Sequence, residues 1–313
     1  QAAEASLRAS ESDLAAARLS AQASLVQIYF ALRAAEVQQA LLARTIAAYR
    51  RALDLTQSRY DAGVAPRTDV LQAQTQWRSA QAQHVDAGIQ RAQLEHAIAV
   101  LVGRPPAALD LATHAALPDA PAVPPMLPSS LLARRPDIAA AHACVQAAFA
   151  QIGVAQAAFL PSLTLSANLG QRSTSIGQLL DLPNRFWSVG PSMALAVLDG
   201  GARRAATDQA RAGADLSVAA WRQIVLTALQ EVEDNLVVAD RLREEAALLM
   251  QSRDAAQRAM EITTEQYRAG SVGYLNVVAA QAAVLASERS VTDVRVRTLQ
   301  AVAQLLKNSG GGW

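Results

Sequence analysis

Cysteine is almost absent from this chain: Cys144 is the only one in 313 residues. That excludes an intramolecular disulfide and any metal site built from several thiolates. A single thiol in an alanine-rich segment is expected to be a small packed residue. Aromatics are scarce at 4%, although 51% of the residues are hydrophobic, many of them alanine. Such a composition buries many small surfaces and suits long helices packed closely side by side. An excess of one charge is missing too. The 28 basic and 27 acidic residues leave a net charge of +1, spread along the chain, with no basic tract for nucleic acid and no acidic tail. The four histidines, His84, His96, His114 and His142, lie apart with no metal-ligand spacing. The stretch "LDGGARR" lacks the context of a phosphate loop. No catalytic residue, cofactor or metal is expected. Residues 138–171 contain no Asp, Glu, Lys or Arg, yet Pro161, Asn168 and several glutamines and serines argue against a transmembrane helix. From Gln1 the sequence opens in mid-helix pattern, and these first residues do not read as a signal peptide.

What is present is a repeat. "YDAGVAPRTDVLQAQ" (60–74) returns 207 residues later as "YRAGSVGYLNVVAAQ" (267–281), with six of fifteen positions identical. The same offset aligns Leu41-Leu42 with Leu248-Leu249, Thr56 with Thr263, Asp86 with Asp293 and Gly103 with Gly310. The register is gapless over roughly 100 residues, and its period is too long for a solenoid unit, so it reads as a duplicated half.

Each half holds two long helices. From Leu25 the positions Leu25, Ile28, Leu32, Ala35, Gln39, Leu42, Ile46, Tyr49, Leu53, Thr56 and Tyr60 step alternately by three and four, a heptad seam. A helix over about 202–269 would be about 100 Å long at 1.5 Å per residue, which belongs to an elongated assembly. The repeated motif sits where each long helix stops. Gly63 and Gly270 suit the left-handed residue that closes a helix, and Pro66 and Gly273 help turn the chain into the next one. Each copy is the tip of an antiparallel helical hairpin.

The spacing divides the chain into a first helical hairpin (1–103), a connector (104–134), a helix (135–158), a hairpin of strands (159–200) and a second helical hairpin (201–313). Seven prolines at 105, 106, 118, 121, 124, 125 and 128 make the connector extended. After Phe159 the period switches to two. Leu163, Leu165, Ala167 and Leu169, then Val189, Met193, Leu195 and Val197, alternate with small polar residues. Strands of about ten residues with one apolar face suit either a half-buried hairpin on helices or a tilted bilayer crossing. In the second case Phe159, Phe186 and Trp187 would form an interfacial belt, around a polar loop "QRSTSIGQLLDLPNR".

"FLPSLTLSANLG", "FWSVGPSMALAVLDGGARRAA", "TALQEVEDNL", "QYRAGSVGYLNVV" and "LLKNSGGGW" together resemble the outer-membrane efflux proteins of the TolC type. Their closest likeness is to the lipoprotein branch serving resistance–nodulation–division pumps. The resemblance implies a mainly α fold with a β-hairpin. Long antiparallel coiled-coil helices form an α-barrel, transmembrane strands form a β-barrel, and the whole is internally duplicated. It implies a homotrimer in outer-membrane lipid, a periplasmic adaptor, an inner-membrane pump and passive export of small molecules. By the offset, Gln1 matches Asp208, so a further hairpin of strands, a signal peptide and a lipid-bearing cysteine distinct from Cys144 are expected upstream.

The same resemblance assigns residues. The adaptor-contact tips would be Asp61, Gly63, Val64, Pro66 and Arg67, with Arg268, Gly270, Ser271, Gly273 and Tyr274. The periplasmic aperture would be lined by Thr68, Asp69 and Gln72 in one half and Leu275, Asn276 and Ala279 in the other. Relatives of this branch carry an acidic and a basic residue where Ala279 and Ala282 stand, so Leu275 rather than an ionic latch would dominate closure. Glu231, Glu233 and Asp234 read as a solvated helix face, with tunnel lining as the functional reading. The alternative to a duct is a soluble coiled-coil scaffold that binds partners through its hairpin tips.

Overall fold

A computed structural model describes residues 1–120, 134–172, 174 and 185–311. Prolines 121, 124, 125 and 128, most of the polar loop between the strands and Trp313 lie outside the described residues. The elements run in the order α1 (Ala2–Asp61), α2 (Arg67–Leu101), α3 (Pro136–Ala157), β1 (Ser162–Gln171), β2 (Arg185–Ala194), α4 (Ala202–Arg268) and α5 (Tyr274–Asn308). Among its described residues the connector contains a 3-10 turn, Pro106–Ala108, which its proline-rich sequence did not announce.

The 207-residue offset carries three boundaries of the two hairpins onto each other: Asp61 onto Arg268, Arg67 onto Tyr274 and Leu101 onto Asn308. The duplication therefore repeats geometry as well as letters. All four helix ends concerned close in the same way. Gly63, Gly103, Gly270 and Gly310 take φ of +72°, +71°, +76° and +90°. The next N–H reaches back to the carbonyl five residues before, as in Val64 N to Arg59 O (2.8 Å) and Ser271 N to Gln266 O (3.0 Å). This is the Schellman arrangement, which satisfies carbonyls that a helix end leaves free.

The chain divides into two compact units. One comprises Gln1–Leu14 and Pro136–Leu226. Its helices meet through small residues: Ala5, Ala9, Ala140, Ala143, Thr207 and Ala214 are buried. Alanines with no side-chain entropy to lose allow close helix approach at little cost. Cys144, expected to be packed, is exposed. The correction has a geometric cause: Ala140 and Ala143 take the buried positions of α3, and Cys144, a single step beyond, turns outward.

Strands β1 and β2 pair antiparallel within this unit. Leu163, Leu165, Ala167 and Leu169 stand opposite Met193, Pro191, Val189 and Trp187. Directly paired residues share a face, so these form one apolar sheet face. Thr164, Ser166 and Asn168 stand opposite Ser192, Gly190 and Ser188 on the other. β2 begins and ends earlier than the alternation suggested, so Leu195 and Val197 lie beyond the ladder. The apolar side chains are open, from 62% for Val189 to 75% for Leu163.

The other unit comprises Ala15–Arg135 and Thr227–Trp313. Here the heptad seam of α1 is read correctly as far as Thr56. Leu32, Ala35, Leu42, Tyr49 and Thr56 are buried, whereas Tyr60 turns out to 39% exposure. Leu242, Val294 and Ala301 form one apolar cluster with Ala246 and Leu249. Of the acidic trio, Glu233 and Asp234 are exposed, and Glu231 bonds Arg135 at 2.9 Å.

Candidate functional site: the paired helical tips

The two tips lie in the same unit and are joined by three aromatic or cationic side chains. Arg59, in the last turn of α1, donates from Nη1 to the carbonyl of Arg268 at 2.8 Å. Its guanidinium also stands 4.8 Å from the centroid of Tyr267. Tyr267 meets Tyr274 edge-to-face at 5.3 Å. Below them Ala73, Tyr267, Tyr274 and Val277 form a buried cluster, with Leu53, Val272 and Val278 against it. One side chain from the first tip thus spans the helix end of the second, where a cation also suits the carbonyl dipoles.

The residues expected to contact an adaptor divide in two. Asp61, Gly63, Val64, Pro66 and Arg67 are exposed, as are Arg268, Gly270, Ser271 and Gly273. Tyr274 is not: at 2% exposure it belongs to the seam between hairpins, because its ring fills the space beside Tyr267. Burial, then the nearby Tyr267, Tyr49 and Asp69, push its hydroxyl up to about 12. The repeat hides this difference. The equivalent first-half position is Arg67, whose side chain stays in water.

The expected aperture residues also separate by half. Thr68 is exposed, while Asp69 and Gln72 are half-buried. Burial pushes the Asp69 carboxyl above its ordinary range, offset only in part by Arg59. Gln72 Oε1 is buried without a hydrogen-bond partner among the described residues. In the second half Leu275, Asn276 and Ala279 are all exposed, Leu275 to 64%. The same register position therefore carries a desolvated acid on one tip and an exposed amide on the other. Sequence reading missed Arg59, although a basic residue in a last helical turn was a usable signal.

A second assembly of side chains supports the strands. Asp199 accepts from the backbone N–H of Gly201 (3.0 Å) and Arg203 (3.2 Å), capping α4. Its carboxylate receives Arg203 Nε at 2.6 Å, a bond that, with these N–H groups, holds it below the usual range. Arg203 also donates to the carbonyls of Ala196 and Ala158 and covers the Phe159 ring at 5.2 Å. One guanidinium thus ties the entry and exit of the strand pair to the start of α4. Phe186 and Trp187, expected together in one belt, project to opposite faces. Phe186 covers Gly170 on the small polar face, and Trp187 stands on the apolar face at 74% exposure.

Comparison with known proteins gives this geometry a family. The chain matches the outer membrane efflux protein family over residues 1–104 and 127–311. It is 32% identical to the outer membrane protein OprJ of Pseudomonas aeruginosa, over 97% of this chain and 64% of that protein. It is 30% identical to the probable efflux pump outer membrane protein TtgC of Pseudomonas putida, over 93% of this chain and 60% of that protein. Its fold is similar to the outer membrane protein VceC of Vibrio cholerae, with a TM-score of 0.88 at 28% identity, over 99% of this chain and 74% of that one. The chain spans about three fifths of the length of the two curated relatives. By sequence and by fold the chain belongs to the outer membrane efflux protein family, TolC-like channels of the Gram-negative outer membrane.

Proposed function

We propose that this chain forms part of the outer-membrane duct of a tripartite efflux system, a passive conduit for small molecules. In this reading three copies share one barrel. A periplasmic adaptor docks on the exposed tip residues Asp61–Arg67 and Arg268–Gly273, and an inner-membrane pump of the resistance–nodulation–division class supplies the energy. The observation that carries the proposal is the combination of a strand pair with one face apolar and open over four successive pairs, ending at Gln171 and Arg185, and duplicated helical hairpins with matched tips. An apolar sheet face of that kind in water is an aggregation hazard, whereas in lipid it is the outer wall of a closed barrel. This disfavours the soluble scaffold. Leu275, exposed behind the second tip, is the proposed closing residue of the aperture.

The test is genetic and biochemical together. In the native host, deletion of the gene is expected to raise accumulation of a fluorescent efflux substrate several-fold. The wild-type gene should restore export, and its product should fractionate with outer membranes. Recovery of the product in the soluble periplasmic fraction, with unchanged accumulation, would favour the scaffold. A cysteine at Val64 is expected to crosslink to the adaptor, while one at Leu216, far along the sequence from either tip, is not.

A further inference from the structure

The start of the connector is held by side chains. Leu111 donates its backbone N–H to Glu95 at 2.7 Å, and His114 donates its own to Glu36 at 3.0 Å. The Leu111 carbonyl accepts from Arg91 at 2.6 Å, and the Ala112 carbonyl accepts from Arg33 at 2.8 Å. Among the described residues no backbone–backbone bond joins residues 110–120 to a helix. We propose that the segment 109–114 is a strap, which lies on the first hairpin and can leave it without melting either helix, and that Glu36 is its pin.

The geometry singles out Glu36 because three elements meet on its carboxylate. Arg33 reaches it from its own helix at 2.6 Å, Arg91 from α2 at 3.1 Å, and the His114 N–H from the strap. The other titratable groups around it are Tyr29, whose ring lies 4.8 Å from the Arg33 guanidinium, Glu95, which pairs with Arg91 at 2.9 Å, and the His114 side chain. Arg33 and Glu36 are 5% and 4% exposed. With Glu36 ionised, two guanidiniums face two carboxylates and every charge is paired. With it neutral, the pocket holds a surplus buried cation, which must regain water. The strap is the side through which water can come, since Asp110, Ala112 and Thr113 are exposed. The helices are held through other contacts, the buried Leu32, Ala35, Ile98 and Ala99 among them.

The repeat supplies an internal comparison. At the equivalent positions of the second half stand Asp240, Arg243, Thr298 and Val302. That set cannot make the network: the first charge pair is reversed and the second is lost. The pin therefore belongs to the half that feeds the connector, and it fixes where the chain departs from the first hairpin toward the second half.

Hydrogen exchange on the whole 313-residue chain tests this, comparing the parent with Glu36→Gln and Glu95→Gln. In Glu36→Gln, exchange across 109–114 is expected to rise at least tenfold, while peptides within α2 and α5 keep their protection. In Glu95→Gln, the Leu111 amide alone should quicken and His114 should stay protected. Wild-type protection of the strap in Glu36→Gln would overturn the proposal. So would loss of protection in strap and helices together, which would make Glu36 a fold residue and not a pin.

Discussion

Asp69 and Glu36 are two carboxylates on neighbouring helices with opposite pH signatures. Burial raises the Asp69 carboxyl. A raised acid binds its proton more tightly in the folded state. Its contribution is therefore fully present below the unfolded value of about 4 and is lost as pH climbs through the folded one. Replacing it with an uncharged isostere removes that cost, so Asp69→Asn is expected to be at least as stable as the parent at pH 7. The two should converge below about pH 4, as checked by urea unfolding at both values. Glu36 behaves in the reverse sense. Burial alone would raise its carboxyl, but the His114 N–H, Arg33 and Arg91 outweigh that and hold it below the ordinary range. Its stabilisation is present above about pH 4 and disappears as pH falls through the depressed value. Glu36→Gln is expected to cost the strap its protection at pH 7 while the helices keep theirs, because a buried guanidinium left without its carboxylate draws in water from the strap side. The loss should shrink in acid.

Among the elements, the four Schellman ends form a natural experiment. At Gly63 and Gly103 an added Cβ would meet nothing within 4 Å, so alanine there faces only backbone strain. At φ near +70° that strain costs about 1–2 kcal/mol. Gly310 has the same conformation, but a Cβ would stand 2.7 Å from the Arg134 carbonyl oxygen. Gly310→Ala is therefore expected to destabilise clearly more than Gly103→Ala, although the two occupy one register position of the repeat. Thermal melts of both variants decide it, and equal losses would show that Arg134 can move aside freely. The glycines were legible in the sequence because a helix end imposes a backbone requirement that one residue type meets. The Arg134 contact was not, because it depends on a segment far away in sequence. The same division runs through the fold. The heptad seam named Leu32, Leu42, Tyr49 and Thr56 correctly, since helical periodicity is local. It failed at Tyr60, where the helix runs out of neighbours. Period-two alternation found the strand pair but overran β2, because Leu195 and Val197 keep the pattern without the ladder. Arg33, Glu36, Arg91 and Glu95 gave no warning, for a charge inside a helical stretch looks solvated until its partners arrive from elsewhere.

For the molecule as a whole, the strand pair is the feature on which the duct reading stands. Its two faces make that reading testable with one residue step. Leu165 stands opposite Pro191 on the apolar face, and Ser166 stands opposite Gly190 on the small polar face. If the apolar face meets lipid, an arginine at Leu165 sits in hydrocarbon, where it costs about 2–4 kcal/mol near the midplane. The same arginine at Ser166 would face the aqueous lumen and keep its hydration. Leu165→Arg in the native gene is expected to lower the amount of assembled protein in outer membranes by several-fold. Ser166→Arg should leave that amount unchanged and alter conductance, since a fixed positive charge in a channel opposes cations. A soluble protein with its hairpin resting on helices would give a different pair of outcomes. Leu165 would then need an apolar cover, and both variants would fractionate as the parent does or unfold in solution. Quantitative membrane fractionation of the two variants side by side separates these cases. The contrast between adjacent positions removes any general effect of adding an arginine, because only the side of the sheet has changed.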